Sequence, residues 1–261
     1  VALRDIFRQA GQSMIVRNAH LVNTGMPPQL KNAAANDFFF LPRRDSVRLV
    51  ETVVELCKTR LPDKMGIPAE ELQVLTPTRR GDAGTRSLNF ALQAALNPPA
   101  PGKKERRFGE LTFREGDRVM QTRNDYDVIW QKEDGTAGTG IFNGDVGKIA
   151  RIDPSGELLE IVFDDRTAVY TADMLAELDM AYAMTVHKAQ GSEYRGVVFV
   201  GAPCAPSLMV RGVLYTAITR ARELLVIVGD DSAVNKMAEN DRRSRRYSGL
   251  KWRLRKGGEE K

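Results

Sequence analysis

The sequence predicts an α/β fold in which a parallel sheet covered by helices is interrupted by a small antiparallel barrel. Three observations predict it. Short, uniformly apolar runs alternate with segments of helical period at both ends of the chain, as strands buried on both faces do between covering helices. Between Leu111 and about Leu178 no helical period persists, and short alternating segments divided by turn signals take its place. The first rhythm then returns, so the barrel is expected to be inserted into one α/β domain and not appended to it.

Each element has its own signal. From Gln12 to Asn23 the apolar positions Ile15, Val16, Ala19 and Val22 recur at helical spacing, and Gly25 with Pro27 ends the run. Asp37-Phe-Phe-Phe-Leu41 reads as a strand buried on both faces, and Ser46 to Lys58 resumes a helical period. Leu72-Gln-Val-Leu-Thr76 is a second buried strand, and the turn Gly81–Thr85 leads into a helix from about Arg86 to Leu96. A connector rich in Pro and charge follows, Asn97-Pro-Pro-Ala-Pro-Gly-Lys-Lys. In the barrel, strands are expected at 117–122, 128–131, 146–152, 158–163 and 168–170, with Gly135, Asn143-Gly144, Pro154-Ser-Gly156 and Asp164-Asp165 as turns. Beyond it come a strand at Gly196–Val200, a helix from about Ser207 to Arg220, a strand at Leu224–Val228 and a short helix from Ser232 to Glu239. The expected division is therefore 1–110 for the first part of the α/β domain, 111–178 for the barrel, and 179–261 for the second part with a basic tail.

Composition sets the outer limits. A chain of 261 residues, 42% hydrophobic and 28% charged, has the makeup of an ordinary globular protein with a sizeable core. No uncharged apolar run approaches the ~20 residues of a membrane span, and Val1–Arg8 lacks the layout of a signal peptide. The expected location is the cytoplasm. The opening without Met, in mid-pattern, suggests a piece of a larger polypeptide. Cys57 and Cys204 form neither a disulfide framework nor a zinc spacing, so no metal site is expected. A net charge of +5 allows a phosphate-binding surface without demanding one. Lysines and arginines crowd the 242–256 tail and the 103–107 loop.

Two strings near the C-terminal end carry chemistry. In Tyr215-Thr-Ala-Ile-Thr-Arg220-Ala, an arginine stands at the end of a helix just before a buried strand, where open α/β sheets are expected to present binding residues. Its guanidinium fork suits phosphate oxygens and stays charged at any working pH; taken alone, it equally suits a helix C-cap. In Thr185-Val-His187-Lys188-Ala-Gln190-Gly191-Ser192-Glu193, a hydroxyl and an imidazole two positions apart can grip a phosphate backbone without reading bases. Gly191 lets a ligand approach the main chain closely, and the Glu193 carboxylate can accept hydrogen bonds from a ribose. No G-x-x-x-x-G-K-[ST] phosphate loop occurs anywhere.

These strings resemble the last two blocks of a superfamily 1 helicase, and nearly the whole chain resembles the C-terminal half of the RecD-like group, the exodeoxyribonuclease V alpha-subunit-like helicases. Ile6-Phe-Arg8-Gln-Ala10 and Ser13–His20 continue the pattern, as do Val74-Leu-Thr-Pro-Thr78-Arg-Arg-Gly81 and Leu88–Pro98. Gly116–Gln121, Asn124-Asp-Tyr126 and Phe142-Asn-Gly-Asp145 resemble the barrel that this group inserts. One departure is Ala189, where relatives usually carry Ser.

The resemblance implies a RecA-like parallel-sheet domain (the P-loop NTPase type) with an inserted SH3-like barrel. It implies ATP-dependent 5′→3′ translocation on single-stranded DNA. Arg8 and Arg220 would contact ATP phosphates, Gly191 and Glu193 the nucleotide sugar, and Thr78, Thr185, His187 and Lys188 the DNA backbone. The phosphate loop and the ligands for Mg2+ would lie upstream of Val1, in an N-terminal RecA-like domain that is this domain's partner. The chain alone is then not expected to hydrolyse ATP, and a recombination or repair complex is a candidate setting. On the barrel, Asn124, Tyr126 and Trp130 are candidate strand contacts. The competing reading is a non-catalytic module that binds single-stranded nucleic acid through barrel and tail.

Overall fold

The computed structural model describes residues 13–33 and 36–242. Arg8, Lys251 and the rest of the basic tail from Arg243 onward lie outside the described residues.

The chain begins with α1 (Met14–Asn23), whose N-cap Ser13 accepts from the Val16 N–H. Asp37 also accepts from the Met14 N–H at 2.8 Å, which anchors this helix start beside the next strand, β1 (Phe38–Pro42). A capping carboxylate there offsets the unpaired N–H groups of the first turn. Helix α2 (Ser46–Glu55) starts on Asp45 and runs through a π turn at Leu56–Arg60 into α3 (Leu61–Met65). It outlasts the expected end at Lys58, because the π turn absorbs Pro62 and Gly66 closes the helix in the left-handed conformation. Strand β2 (Leu72–Thr76) is buried along its whole length, and α4 (Thr85–Leu96) follows.

The inserted unit begins with a hairpin, β3 (Glu105–Phe108) and β4 (Leu111–Arg114). It continues through β5 (Arg118–Gln121), β6 (Asp125–Gln131), β7 (Ala137–Ile141), β8 (Val146–Ile152), β9 (Leu158–Phe163), β10 (Arg166–Thr171) and β11 (Leu178–Met180). The chain then re-enters the first sheet through β12 (Ala183–Thr185) and β13 (Tyr194–Gly201), and ends in α5 (Arg211–Ile218), β14 (Ala221–Gly229) and α6 (Asp231–Glu239). The helix expected from Ser207 starts only at Arg211, because Ala205–Val210, with Pro206, takes irregular turns.

The first sheet is wholly parallel, in the order β1-β14-β13-β2-β12. Alternation along the strands explains why both faces are covered. Leu225 and Ile227 of β14 and Val197 and Phe199 of β13 pack under α1, α5 and α6. Val226 and Val228, with Val198 and Val200, pack under α2, α3 and α4. Each such side chain contributes about 1.5–3 kcal/mol by leaving water. β1 is an edge strand, so Phe39 and Leu41 are only partly buried, not enclosed on both faces as its apolar run suggests.

The second sheet is antiparallel, ordered β11-β5-β8-β9-β10-β6-β7, around a core that includes Ile149, Ile161, Phe163 and Tyr170. It lies in the chain between α4 and β12. The hairpin β3–β4 pairs across the 110/111 division, and β11 extends past residue 178.

A buried polar junction fixes the barrel to the sheet. The Asp117 carboxylate, wholly shielded from solvent, accepts from Gln93 Nε2 (2.6 Å), Asn97 Nδ2 (2.7 Å), the Arg114 N–H (2.7 Å) and the Tyr182 hydroxyl (2.9 Å). Burial pushes this carboxyl above its ordinary range, and the hydrogen bonds, Asn97 first, pull it back. Gln73 donates to the carbonyls of Ala181 and Tyr182, Asn89 brackets Ala183 through its N–H and C=O, and Arg118 reaches the Leu72 carbonyl at 2.9 Å.

At the β8–β9 turn the Asp153 carboxylate accepts from the Leu158 N–H at 2.9 Å and from Ser155, which holds it down at about 2. A depressed carboxylate stabilises the fold fully above its unfolded pKa of about 3.9, and this is lost as pH falls through the folded value. The Leu158 amide resonance is therefore expected to titrate with a midpoint near pH 2; a midpoint near 4 would show that the turn does not hold the carboxylate.

Candidate functional site

The two strings singled out by sequence meet at the amino edge of the parallel sheet. Arg220 occupies the short link between α5 and β14, and its carbonyl accepts from the Tyr194 N–H at the start of β13 (2.9 Å). Its guanidinium reaches back 28 positions to donate to the Ser192 carbonyl at 2.8 Å, with further bonds to the Thr216 carbonyl and the Thr219 hydroxyl, each at 3.3 Å. All three partners are neutral oxygens, so these contacts aim the charge without cancelling it. The expectation that Arg220 stands where open sheets usually bind ligands is corrected here. That place is the carboxyl edge, whereas a residue just before a strand lies at its amino end.

Gly191 and Glu193 belong to the same edge. Gly191 has φ +91° with open space where a side chain would begin, so glycine is required there by backbone conformation and not by crowding. Glu193 is exposed and directly precedes β13. Burial pushes the Tyr194 phenol above its ordinary value, with Arg118 and Arg220 opposing.

The expected DNA-contacting residues lie at the opposite, carboxyl edge. Thr185 ends β12 opposite Thr76, the last residue of β2, and the Val186 N–H donates to the Thr76 carbonyl at 3.1 Å. Thr78 lies two residues past β2, half-buried, its hydroxyl in mutual bonds of 3.3 Å with the main chain of Arg80. His187 stands exposed beyond the strand, in a turn closed by Lys188 N–H to Thr185 C=O at 2.9 Å. Residues 186–193 thus run from the carboxyl end of β12 to the amino end of β13, joining the two candidate subsites. A cleft of about 450 Å³ opens between this segment and α5, lined by His187, Gln190, Tyr215, Thr216 and Arg211 among others.

Lys188 turns away from His187. Its ammonium donates to Asn143 Oδ1 on the barrel at 2.6 Å and to the Thr122 carbonyl at 3.5 Å. Burial lowers its pKa, the neighbouring Arg79 adds to this, and Asp179 opposes. The sequence marks Asn143 as part of a turn and of a string resembling the inserted barrel, but not as a partner of Lys188, which is 45 positions away. Ser192, Thr216 and Tyr194 likewise escape a reading of side chains, since Arg220 meets the main chain of all three.

Of the barrel candidates, Tyr126 is two-thirds exposed and meets Phe142 edge-on at 5.6 Å between ring centres. Asn124 accepts from the Asn143 N–H at 3.0 Å. Trp130 lies against Gly138, with the Lys132 and Arg166 cations 6.0 and 5.9 Å from its ring centre.

Fold and site together define a class: a RecA-like parallel-sheet domain with an SH3-like insertion, carrying superfamily 1 helicase blocks at its sheet edges. A family profile described as the ATP-dependent RecD-like DNA helicase SH3 domain matches residues 88–163, and the UvrD-like helicase C-terminal domain matches 180–228. The ATP-dependent RecD2 DNA helicase of Deinococcus radiodurans is 34% identical over 94% of this chain, and the RecBCD enzyme subunit RecD of Mycolicibacterium smegmatis 30% identical over 72%. Pif1 helicase from Bacteroides, solved with ADP-AlF3 and ssDNA, shares the fold at a TM-score of 0.50 and 15% identity over 100% of this chain. The chain belongs with the RecD-like superfamily 1 helicases and corresponds to their C-terminal region. It spans 31% of the Deinococcus relative, 30% of the Mycolicibacterium one and 57% of the Pif1 chain. Among the described residues no helix is long and apolar enough to cross a membrane.

Proposed function

We propose that this chain is the second motor domain of an ATP-dependent helicase that moves 5′→3′ on single-stranded DNA. The observation that carries the reading is the Arg220–Ser192 bond. It joins both helicase blocks at one sheet edge, while the segment ending at Ser192 begins beside Thr185 at the other.

ATP, held with Mg2+ by a partner domain bearing the phosphate loop, supplies the phosphoryl group whose transfer to water releases free energy. The residues present fit such a group. Arg220 offers at the rim a guanidinium whose three described partners are neutral oxygens, and Gly191 leaves open space beside Glu193 for a sugar. Arg8 is proposed as the second phosphate-contacting arginine. A guanidinium gains a charge-assisted bond only while a phosphate oxygen is present, so Arg220 stabilises the closed arrangement of the two domains differentially. Any shift of Arg220 pulls on the Ser192 carbonyl, and through residues 186–193 on Thr185 and His187. These, with Thr78, are the proposed backbone contacts, which imply weak base preference and strong salt dependence.

Purified by itself, the chain is expected to bind oligothymidylate without hydrolysing ATP. Joined to a domain carrying the phosphate loop, it is expected to hydrolyse ATP when DNA is added and to displace an oligonucleotide from a substrate with a 5′ tail. DNA-stimulated hydrolysis by the chain alone, or displacement only from a 3′ tail, would refute this assignment. The exposed Tyr126–Phe142 pair favours a second reading, a binding module without motor function. That reading requires Tyr126→Ala to remove most of the affinity, with Thr185→Ala and His187→Ala having no effect.

A further inference from the structure

Four hydrogen bonds make the barrel's β7–β8 turn a rigid mount. Phe142 N–H donates to the Asp145 carboxylate (3.1 Å) and Asp145 N–H to the Phe142 carbonyl (2.9 Å). Gly144, at φ +102°, donates to the Gln121 carbonyl (2.9 Å), and the Asn143 N–H to Asn124 Oδ1 (3.0 Å). Arg166 adds a bond to Asp145 at 3.2 Å. With its own main chain so fixed, Asn143 projects Oδ1 to within 2.6 Å of Lys188 Nζ.

From the other side, Lys188 has few alternatives. Asp179, a carboxylate that attracts the ammonium, is already paired with Arg79 at 3.0 Å, and Arg79 repels the ammonium. Neutral oxygens of the barrel, Asn143 Oδ1 and the Thr122 carbonyl, are what the half-buried ammonium finds. A charge removed from water and bound at such distances is held by its partners more firmly than a neutral group would be.

We infer that Asn143 and Lys188 form a latch that holds residues 186–193 against the barrel, making both of them positioning residues and Lys188 not a phosphate contact. The barrel thereby sets the place of the segment that joins the sheet's two edges. This consequence for the motor rests on the function proposed above; the latch itself does not.

Hydrogen exchange on the purified chain tests the latch directly. The Ala189 N–H bonds to the Thr185 carbonyl at 3.2 Å, and those of Gln190 and Ser192 bond within the segment at 3.4 and 3.2 Å. Asn143→Ala and Lys188→Met are each expected to speed their exchange about tenfold, and the double variant no further. Asn143→Asp, which turns the contact into an ion pair, should restore protection, more so at low salt. Unchanged exchange in both single variants would overturn the latch. If Asn143→Ala also loosens the Ile149 and Ile161 amides of the barrel core, Lys188→Met decides, since it removes none of the turn's own bonds.

Oligothymidylate binding across a salt series supplies a second readout. A latch predicts that both variants weaken binding equally with an unchanged salt slope. A phosphate contact predicts that Lys188→Met alone flattens the slope, by about 0.7 for a single strand, and that outcome overturns the inference. A chain that binds no oligothymidylate counts against the proposed function and leaves the latch to be judged by exchange.

Discussion

Replacing Arg220 by alanine, in a polypeptide that also carries the phosphate-loop domain, is expected to cut DNA-stimulated ATP turnover by about 10³-fold or more. The size follows from what an arginine at this position supplies. Charge that develops on a transferring phosphoryl group in a closed cleft is met by a guanidinium already aimed, with no carboxylate among its three described partners. Arg220→Lys keeps the charge and loses the fork, so only part of the loss should be recovered. The same guanidinium also ties down the Ser192 carbonyl, and a loosened segment could weaken DNA binding indirectly. Oligothymidylate affinity is therefore measured alongside turnover and is expected to stay within about tenfold of the parent, the upper worth of a typical net hydrogen bond. A fall in affinity matching the fall in turnover would mean that Arg220 shapes the segment and does not meet phosphate. Turnover near the parent value would remove the phosphate role altogether.

Legibility in the sequence followed how locally each feature is determined. Central strands such as Leu72–Thr76 and Leu224–Val228 are apolar on both faces, so composition alone exposes them. Strand β7, Ala137-Gly-Thr-Gly-Ile141, was not legible. It has no apolar alternation, and its Gly138 is there because a side chain would strike the Trp130 ring across the ladder. The three-residue strand β11 is likewise invisible locally, and Gln73, Asn89 and Asp117 hold the crossing that follows it from elsewhere in the chain. What a string such as Thr185–Glu193 hides is direction, because a motif names residue types and not the sheet edge they occupy.

 Arg220 shows this. Its place just before β14 sets it at the amino end of a strand, a signal carried by the order of elements, whereas the usual carboxyl-edge rule alone points to the opposite rim. Lys188 shows the other limit, because its partner Asn143 is set by the barrel's docking and by nothing nearby in the chain.

That docking leads to the second large effect. Asp117→Asn is expected to destabilise the chain by about 3 kcal/mol, lowering its melting temperature by roughly 6–12 °C. The substitution is nearly isosteric, so no cavity forms and the cost is purely one of hydrogen bonding. Asp117 accepts from Gln93, Asn97, the Arg114 N–H and Tyr182, and it is wholly shielded from solvent. An asparagine keeps one acceptor oxygen and turns an NH2 group toward donors that cannot receive it, leaving buried polar groups unpaired. Asp117→Ala removes the acceptors altogether and should cost at least as much, with a cavity added. A melting temperature within about 1 °C of the parent for Asp117→Asn would show that the junction does not hold the barrel. The position of the barrel matters beyond stability, because the turn bearing Asn143 moves with it. At temperatures where the fold is intact, Asp117→Asn is therefore expected to speed exchange at Ala189, Gln190 and Ser192 as Asn143→Ala does, although Asp117 touches none of them. Faster exchange confined to the β3–β4 hairpin would instead mean that the junction braces only its own surroundings, and that the barrel keeps its hold on Lys188 by other contacts.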